Sequence, residues 1–341
     1  MIEKHNGLYN VICFSKRKER PLNMSKRLIA FLSIILTLTL LVSCSGSNNG
    51  NDVGNTAGTE ATGTGGSSSP NSSGSGAAGG DSTERSRTVN IGCNYRPTTM
   101  DPHNLRNYSS IIHAMFTFET LLQNDHVGGY HPWLAESWDI ADDGLSWTFH
   151  LRQGISFQNG DAFNADDVVY TVERVVNNAD DLSYRGQYAP NMIGADKIDE
   201  YTVKVIFEIP QPTIDAYGSF SSLYIISKET HEELGDSYFY DQYCYGTGPW
   251  LLDEWIDGQY SHFTKNEEYW NKSVFDSYFN EVYLHYIIED SSAIAAHLTG
   301  TTDMYLCNGG INADLLSLYN GTEDRIEILE YETATAYHLN L

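Results

Sequence analysis

Positive charge is the scarcest commodity of this chain. Lys and Arg number 20 against 45 Asp and Glu, for a formal charge of -25 at pH 7. Several of those bases precede position 28, so the remainder is more acidic still. This balance excludes nucleic acid and anionic lipid surfaces as partners. Cysteine is sparse as well. Cys13, Cys44, Cys93, Cys244 and Cys307 are widely spaced, with no CxxC pair and no disulfide framework, and the last three are expected as buried free thiols. Catalytic signatures are absent. His231-Glu232-Glu233-Leu234-Gly235 lacks the second His of a zinc-protease helix, and there is neither a GxSxG elbow nor a P-loop. Gly246-Thr247-Gly248 lacks the third Gly of a dinucleotide turn. The acid pairs Asp142/Asp143 and Asp166/Asp167 fall at a turn and at a helix start, where they serve structure rather than glycoside chemistry. His126 and His131 share one solvated loop. No catalytic residue, no metal site and no cofactor is therefore expected. No fixed-period repeat is visible.

Only one long apolar run exists. It covers 28–42, behind Lys26-Arg27, and ends in Leu41-Val42-Ser43-Cys44. About 15 residues fall short of the roughly 20 that span a bilayer, so the run reads as the h-region of a signal peptide. Leu-Val-Ser-Cys resembles a bacterial lipobox, in which Cys44 is lipidated and becomes the mature N-terminus. Met24 reads as the initiator of a signal peptide over 24–43, with 1–23 a mis-set start lacking periodicity. Residues 44–87 are Ser-, Gly-, Asn- and Thr-rich with almost no large apolar side chain, and read as a lipid-anchored disordered linker. A flexible tether of that length has an r.m.s. span of about 36 Å.

The densest local order lies over 132–176. Residues 136–140 (ESWDI) and 145–151 (LSWTFHL) alternate with period two, the pattern of half-buried strands. Ala141-Asp142-Asp143-Gly144 is the turn between them, and Asn159-Gly160 after Ile155-Ser156-Phe157 predicts a second turn closing a third strand. Asn164 is placed to cap a helix whose apolar face is Val168, Val169, Val172, Val175 and Val176, with Asp166 and Asp167 at its positive end. Elsewhere the pattern predicts strands over 88–93, 202–207, 280–288, 303–307, 327–331 and 335–341. It also predicts helices over 110–122 and, capped by Asp290 and ended at Gly300, over 291–299. The order of these elements gives an α/β or α+β body.

Four motifs in sequence order then resemble one family. They are Met100-Asp101-Pro102; the block LAESW…DDGLSWTFHLRQGISFQNGD…NADDVVYTVER; Gly246-Thr247-Gly248-Pro249-Trp250 followed by Lys265-Asn266-Glu267-Glu268-Tyr269-Trp270; and Gly300-Thr301-Thr302-Asp303, with Tyr337-His338-Leu339-Asn340 closing the chain. They are similar to those of family 5 extracellular solute-binding proteins, the oligopeptide-, dipeptide- or nickel-binding components of ABC importers. The resemblance implies an α/β, type II (cluster C) periplasmic-binding-protein-like fold: two lobes around a cleft, with an extra subdomain on the first. Residues 88–125 and 245–335 would form lobe I, 126–244 the subdomain, and 336–341 the start of the hinge and lobe II. Most of lobe II would be missing, making 88–341 a partial, C-terminally truncated domain. Ligand positions carried over from the family are Arg106, Tyr108, Cys307, Asn308, Thr333 and His338. Cys, Thr and His depart from the aromatic or acidic residues of some members, so the ligand class does not transfer. The implied function is capture rather than chemistry: a peptide or similar small solute is bound outside the cell and handed to permease and ATPase subunits, with the membrane reached through the lipid anchor. A peptide-sensing lipoprotein without a transport role, and an extracellular hydrolase, are the alternatives.

Overall fold

Alternation of apolar residues at period two turns half of each strand toward a core. In the computed structural model three sheets arise from such strands, the smallest of them the two-stranded pair of Leu122–Asn124 with Tyr130–Pro132. The structure describes residues 10–15, 87–104, 108–124, 129–178, 191–211, 220–239, 244–273, 279–307, 313–322, 324 and 326–331. In chain order the elements are β1 (Asn10–Ser15), β2 (Thr88–Cys93), α1 (Tyr108–Thr117), β3 (Leu122–Asn124), β4 (Tyr130–Pro132), β5 (Ala135–Ile140), β6 (Ser146–Leu151), α2 (Ala165–Asn177), β7 (Met192–Asp199) and β8 (Thr202–Phe207). There follow α3 (Lys228–Leu234), β9 (Trp250–Ile256), β10 (Tyr260–Lys265), β11 (Glu281–Tyr286), α4 (Asp290–Thr299), β12 (Met304–Leu306), α5 (Ala313–Leu316) and β13 (Ile326–Tyr331).

The larger sheet has the order β13-β1-β12-β2-β11-β10-β9. β11 and β12 both run parallel to β2, and β11–α4–β12 is the crossover that carries the chain over it. One face of the sheet (Val89, Ile91, Phe263, Val282, Leu284) packs on α1 through Ile112 and Phe116. The opposite face carries Tyr305, buried with Ile294 of α4 and Tyr319. The four-stranded sheet has the order β5-β6-β8-β7. Its inner residues Trp147, Phe149, Val203 and Val205 meet Val168, Val172 and Val175 of α2 in a second core.

Local chemistry accounts for the expected elements. Gly144 adopts φ 69° in the turn between β5 and β6, a conformation that costs a residue with a Cβ. Asn164 caps α2 reciprocally: its side chain accepts from Asp166 N–H (2.7 Å), and Asp167 Oδ2 accepts from Asn164 N–H (2.9 Å). Gly300 ends α4 in the left-handed conformation. Cys93, Cys244 and Cys307 are buried free thiols.

Several expectations are corrected. Ile155-Ser156-Phe157 is no strand; it contributes a single bridge, Ser156 to Ala162. The helix expected over 110–122 stops at Thr117, because Thr117 O receives Gly248 N–H (2.9 Å) and Glu119 is drawn into a separate network. Asp290 does not cap α4: Glu289 occupies the cap position without a side-chain bond, and Asp290 serves other donors. Asp167 serves the helix start as expected, and its burial there pushes the carboxyl up to about 6. β1 was not expected from the sequence, although its Val11-Ile12-Cys13-Phe14 run has high strand propensity. β7 escaped detection because its sequence, MIGADKID, has no clean alternation; it is an edge strand that leaves most of its residues exposed or half-buried.

Candidate functional site

Parallel strands ending side by side leave a crevice beyond their carboxyl ends, and this is where open α/β sheets receive ligands. Here β2, β11 and β12 end together. Asn94, Tyr95 and Arg96 follow β2, Ile287 and Ile288 follow β11, and Cys307 follows β12. Asp290, in the first turn of α4, organises this edge. Its Oδ1 accepts from Asn94 Nδ2 (2.8 Å) and from the buried Tyr305 hydroxyl (2.7 Å). Asn94 Nδ2 also reaches Cys307 Sγ (3.4 Å). Burial, with the nearby Cys307 and Asp290, raises the Tyr95 hydroxyl above its ordinary range. Arg96 is exposed and reaches Asp257 Oδ1 at 3.4 Å, while Ile288 is 56 % exposed. Carboxylate, amide, phenol, guanidinium and an exposed apolar side chain thus share one rim, a set suited to binding a molecule with both polar and apolar parts. Nearby Cys93 is no nucleophile, since burial pushes its thiol up to about 12.

Of the residues expected at a site, the structure brings Cys307 to this edge, buried to 3 % exposure. Tyr108 is the first residue of α1. Cys44, Arg106, Asn308, Thr333 and His338 lie outside the described residues. Asn94, Tyr95, Asp290 and Tyr305 were missed. The signal that finds them is the position directly after a strand, usable only once the parallel pairing is known. Among the described residues no group of His, Cys, Asp and Glu has metal-site geometry, and no helix is long and apolar enough to cross a membrane.

The motifs that stand out in the sequence lie behind this edge. Glu119, 6 % exposed, accepts from Trp133 Nε1 (2.7 Å), Tyr269 hydroxyl (2.6 Å) and Trp270 Nε1 (2.7 Å), so Trp133 and the distant Tyr269-Trp270 pair meet on one carboxylate. Burial raises its pKa and these hydrogen bonds oppose the rise. Gln158 Nε2 donates to Gly248 O (2.9 Å) and Trp250 O (2.8 Å), and Asn266 Nδ2 donates to Gly248 O (3.0 Å), clamping the 246–250 turn. Asp101 pairs with Arg174 at 2.8 Å, both side chains nearly buried. Arg174 also donates to His103 Nδ1 (2.6 Å), and His103 Nε2 meets Tyr224 O (2.7 Å), which fixes the proton on Nε2. A cavity of about 620 Å³ beside this pair is lined by Thr99, Asp101, Tyr170, Glu173, Arg174 and His231. Its buried charges are spent on each other, and Tyr170 hydroxyl is bonded to His231 Nδ1. We therefore place the ligand edge at the strand ends rather than there.

The arrangement is that of the type II periplasmic-binding class, and comparison with solved structures agrees. A crystal structure of Haemophilus influenzae OppA in complex with RPPGFSPFR superposes with a TM-score of 0.62 at 25% identity, covering 70% of this chain and 49% of that one. NikZ from Campylobacter jejuni in complex with Ni(L-His) shares the fold with a TM-score of 0.59 at 24% identity, covering 69% and 45%. Residues 129–340 match the family described as bacterial extracellular solute-binding proteins, family 5 Middle. The chain belongs to that family. Among curated relatives, the periplasmic oligopeptide-binding protein OppA of Haemophilus influenzae is 28% identical over 224 residues, 61% of this chain and 41% of its own. The glutathione-binding protein GsiB of Escherichia coli is 31% identical over 182 residues, 53% and 35%. The chain thus spans less than half the length of these relatives. The two curated relatives are binding proteins, one named for oligopeptides and the other for glutathione.

Proposed function

We propose that this chain carries the first-lobe part of a solute-capturing protein that serves an ABC importer, with short peptides as the ligand class. The observation that carries the reading is the convergence of Asn94, Tyr95, Asp290 and Cys307 at the carboxyl ends of β2, β11 and β12. A rim of that kind closes around a ligand only against an opposing surface, the arrangement of hinge-closing binding proteins. The peptide-binding names of the relatives support the ligand class. Residues 88–125 and 245–335 are read as lobe I, 126–244 as its subdomain and 336–341 as the approach to the hinge, with Arg106, Tyr108, Asn308, Thr333 and His338 as further ligand positions. Cys44 is read as the lipidated residue that tethers the protein to the extracytoplasmic face of the membrane, where permease and ATPase subunits receive the solute.

The test of capture is thermal stabilisation of a longer protein containing this chain by a panel of short peptides, nickel complexes and oligosaccharides. Stabilisation by peptides, reduced by Asp290→Ala, is expected. A flat response to all three groups, or an unchanged response in Asp290→Ala, overturns the assignment. Anchoring is tested by labelling with a palmitate analogue, expected in the native chain and lost in Cys44→Ala.

A further inference from the structure

The cavity beside the Asp101–Arg174 pair has a volume of about 620 Å³, a size typical of small-molecule sites. Three stretches wall it: residues 99–104 after β2, the face of α2 with Tyr170, Glu173 and Arg174, and the chain from His231 of α3 to the helical turn Gly235–Phe239. Its buried part is electrically closed. Arg174 is the only Lys or Arg among the described lining residues, and both oxygens of Asp101 hold it, at 3.1 and 2.8 Å. Its outer part is not closed. Glu173 on α2 and Asp236 on the helical turn are exposed, and among the described residues neither carboxylate has a hydrogen bond or an ion pair. Burial and the Arg174 guanidinium lower the pKa of His231, so its ring is neutral at pH 7 and adds no charge. With Asp101 and Arg174 cancelling, Glu173 and Asp236 leave the lining two negative charges. His231 Nδ1 meets the Tyr170 hydroxyl at 2.7 Å, and its buried Nε2 has no partner among the described residues. The imidazole thus keeps one nitrogen that the fold does not satisfy.

We propose that this cavity is a second binding site, separate from the strand-end edge, for a small organic diamine. One ammonium group sits beside Glu173 and the other beside Asp236, with the methylene chain between them against the Tyr170 ring. Carboxylate and aromatic face together favour an amine. An anion is disfavoured, because the lone guanidinium is already held by Asp101. A neutral molecule leaves both carboxylates as they are. Two acids on different walls select two cationic groups over one. The assignment does not depend on the peptide reading of the strand-end edge, and every residue it uses lies in this chain.

Calorimetric titration of the full chain with 1,4-diaminobutane at low salt, paired with thermal melts, tests this. Saturable binding at a single site is expected, weaker by on the order of fivefold or more for butylamine and lost for 1,4-butanediol. Glu173 and Asp236 are exposed, so Glu173→Gln and Asp236→Asn should fold as the native chain does. Each should weaken diamine binding by on the order of fivefold or more and remove the preference over butylamine. Asp142→Asn in the β5–β6 turn removes the same amount of charge without touching the cavity, and should leave binding unchanged. That control separates a site from the general attraction of an acidic surface for amines, which salt screens. Many weak sites, or the same loss in Asp142→Asn as in Glu173→Gln, would assign the effect to that general attraction and overturn the proposal. Equal binding of 1,4-butanediol overturns the cationic class. Neither heat nor thermal stabilisation with the diamine overturns the site. Peptide stabilisation of a longer protein is a separate readout, so failure here leaves the strand-end assignment standing.

Discussion

Glu119 shows how much of the molecule rests on single buried groups. Its donors Trp133, Tyr269 and Trp270 come from two segments, the second of them 150 residues away. Glu119→Gln replaces an acceptor oxygen by a donating amide and leaves at least one buried donor unsatisfied. The expected loss is about 2–4 kcal/mol of unfolding free energy, measured by urea titration. Tyr269→Phe removes one donor and its partner's bond together, and should cost about 1 kcal/mol. His103 gives a prediction in pH. Burial and the facing Arg174 guanidinium hold its pKa down to about 4, against an ordinary 6.5. A group with a depressed folded pKa contributes stability that is present above its unfolded pKa and is lost as pH falls through the folded one. The stability difference between the native chain and His103→Gln should therefore shrink between pH 6.5 and 4. Asp167, raised to about 6 from 3.8, acts in the opposite sense: its contribution is present below about 3.8 and is lost as pH rises through 6. Chemical unfolding of both proteins across that range checks the sign. Neither Glu119 nor His103 was legible in the sequence, since no local pattern marks a residue whose partners lie in distant segments.

Elements written by local rules were legible. The β5–β6 turn, the Asn164 cap and the Gly300 terminus each depend on residues within about one turn of each other. The end of α1 was not. It is set by the 246–250 turn, more than a hundred residues away, pressing on Thr117. A Cβ on Gly246 would lie 1.9 Å from Thr117 O, and one on Gly248 2.6 Å from it. Backbone cannot yield as a side chain can, so Gly246→Ala should cost about 3 kcal/mol or more. Gly160 has φ +98° but nothing within 4 Å of the added atom, so Gly160→Ala carries only the backbone penalty, about 1 kcal/mol. Thermal melts should rank Gly246→Ala well below Gly160→Ala. An equal ranking would mean that the close approach to Thr117 is not what specifies glycine there. The candidate site shares this dependence on distant pairing: Asn94 and Asp290 become neighbours only because β2 and β11 run in the same direction.

At the scale of the molecule, two hydrophobic cores are joined by a charged pair rather than by a continuous apolar seam alone. Met100 and the neighbouring Asp101 belong to the sheet side, while α2, which carries Arg174, packs its valines into the second core. Arg174 holds Asp101 by two hydrogen bonds, to Oδ1 at 3.1 Å and Oδ2 at 2.8 Å, and lies over the Phe239 ring at 4.9 Å. The guanidinium lowers the Asp101 pKa against the opposing effect of burial. Removing one member of such a pair strands the other without a counter-charge, typically at a cost of about 3–5 kcal/mol. Arg174→Met keeps the apolar stem and the contact with Phe239 but leaves Asp101 and His103 unpartnered by the guanidinium. The expected result is a loss of that order, and with it a loss of coupling between the two cores. In the native chain, exchange of β6 in the second core and of β11 in the first should share one opening free energy. In Arg174→Met the two should separate, with Asp101→Asn intermediate because the Asn amide oxygen can still accept a hydrogen bond from Arg174. If β6 and β11 continue to open together in Arg174→Met, the apolar contacts between the two regions suffice to couple them. The Asp101–Arg174 pair would then be a local tie, and the sequence distance between the two motifs it joins would carry no mechanical meaning.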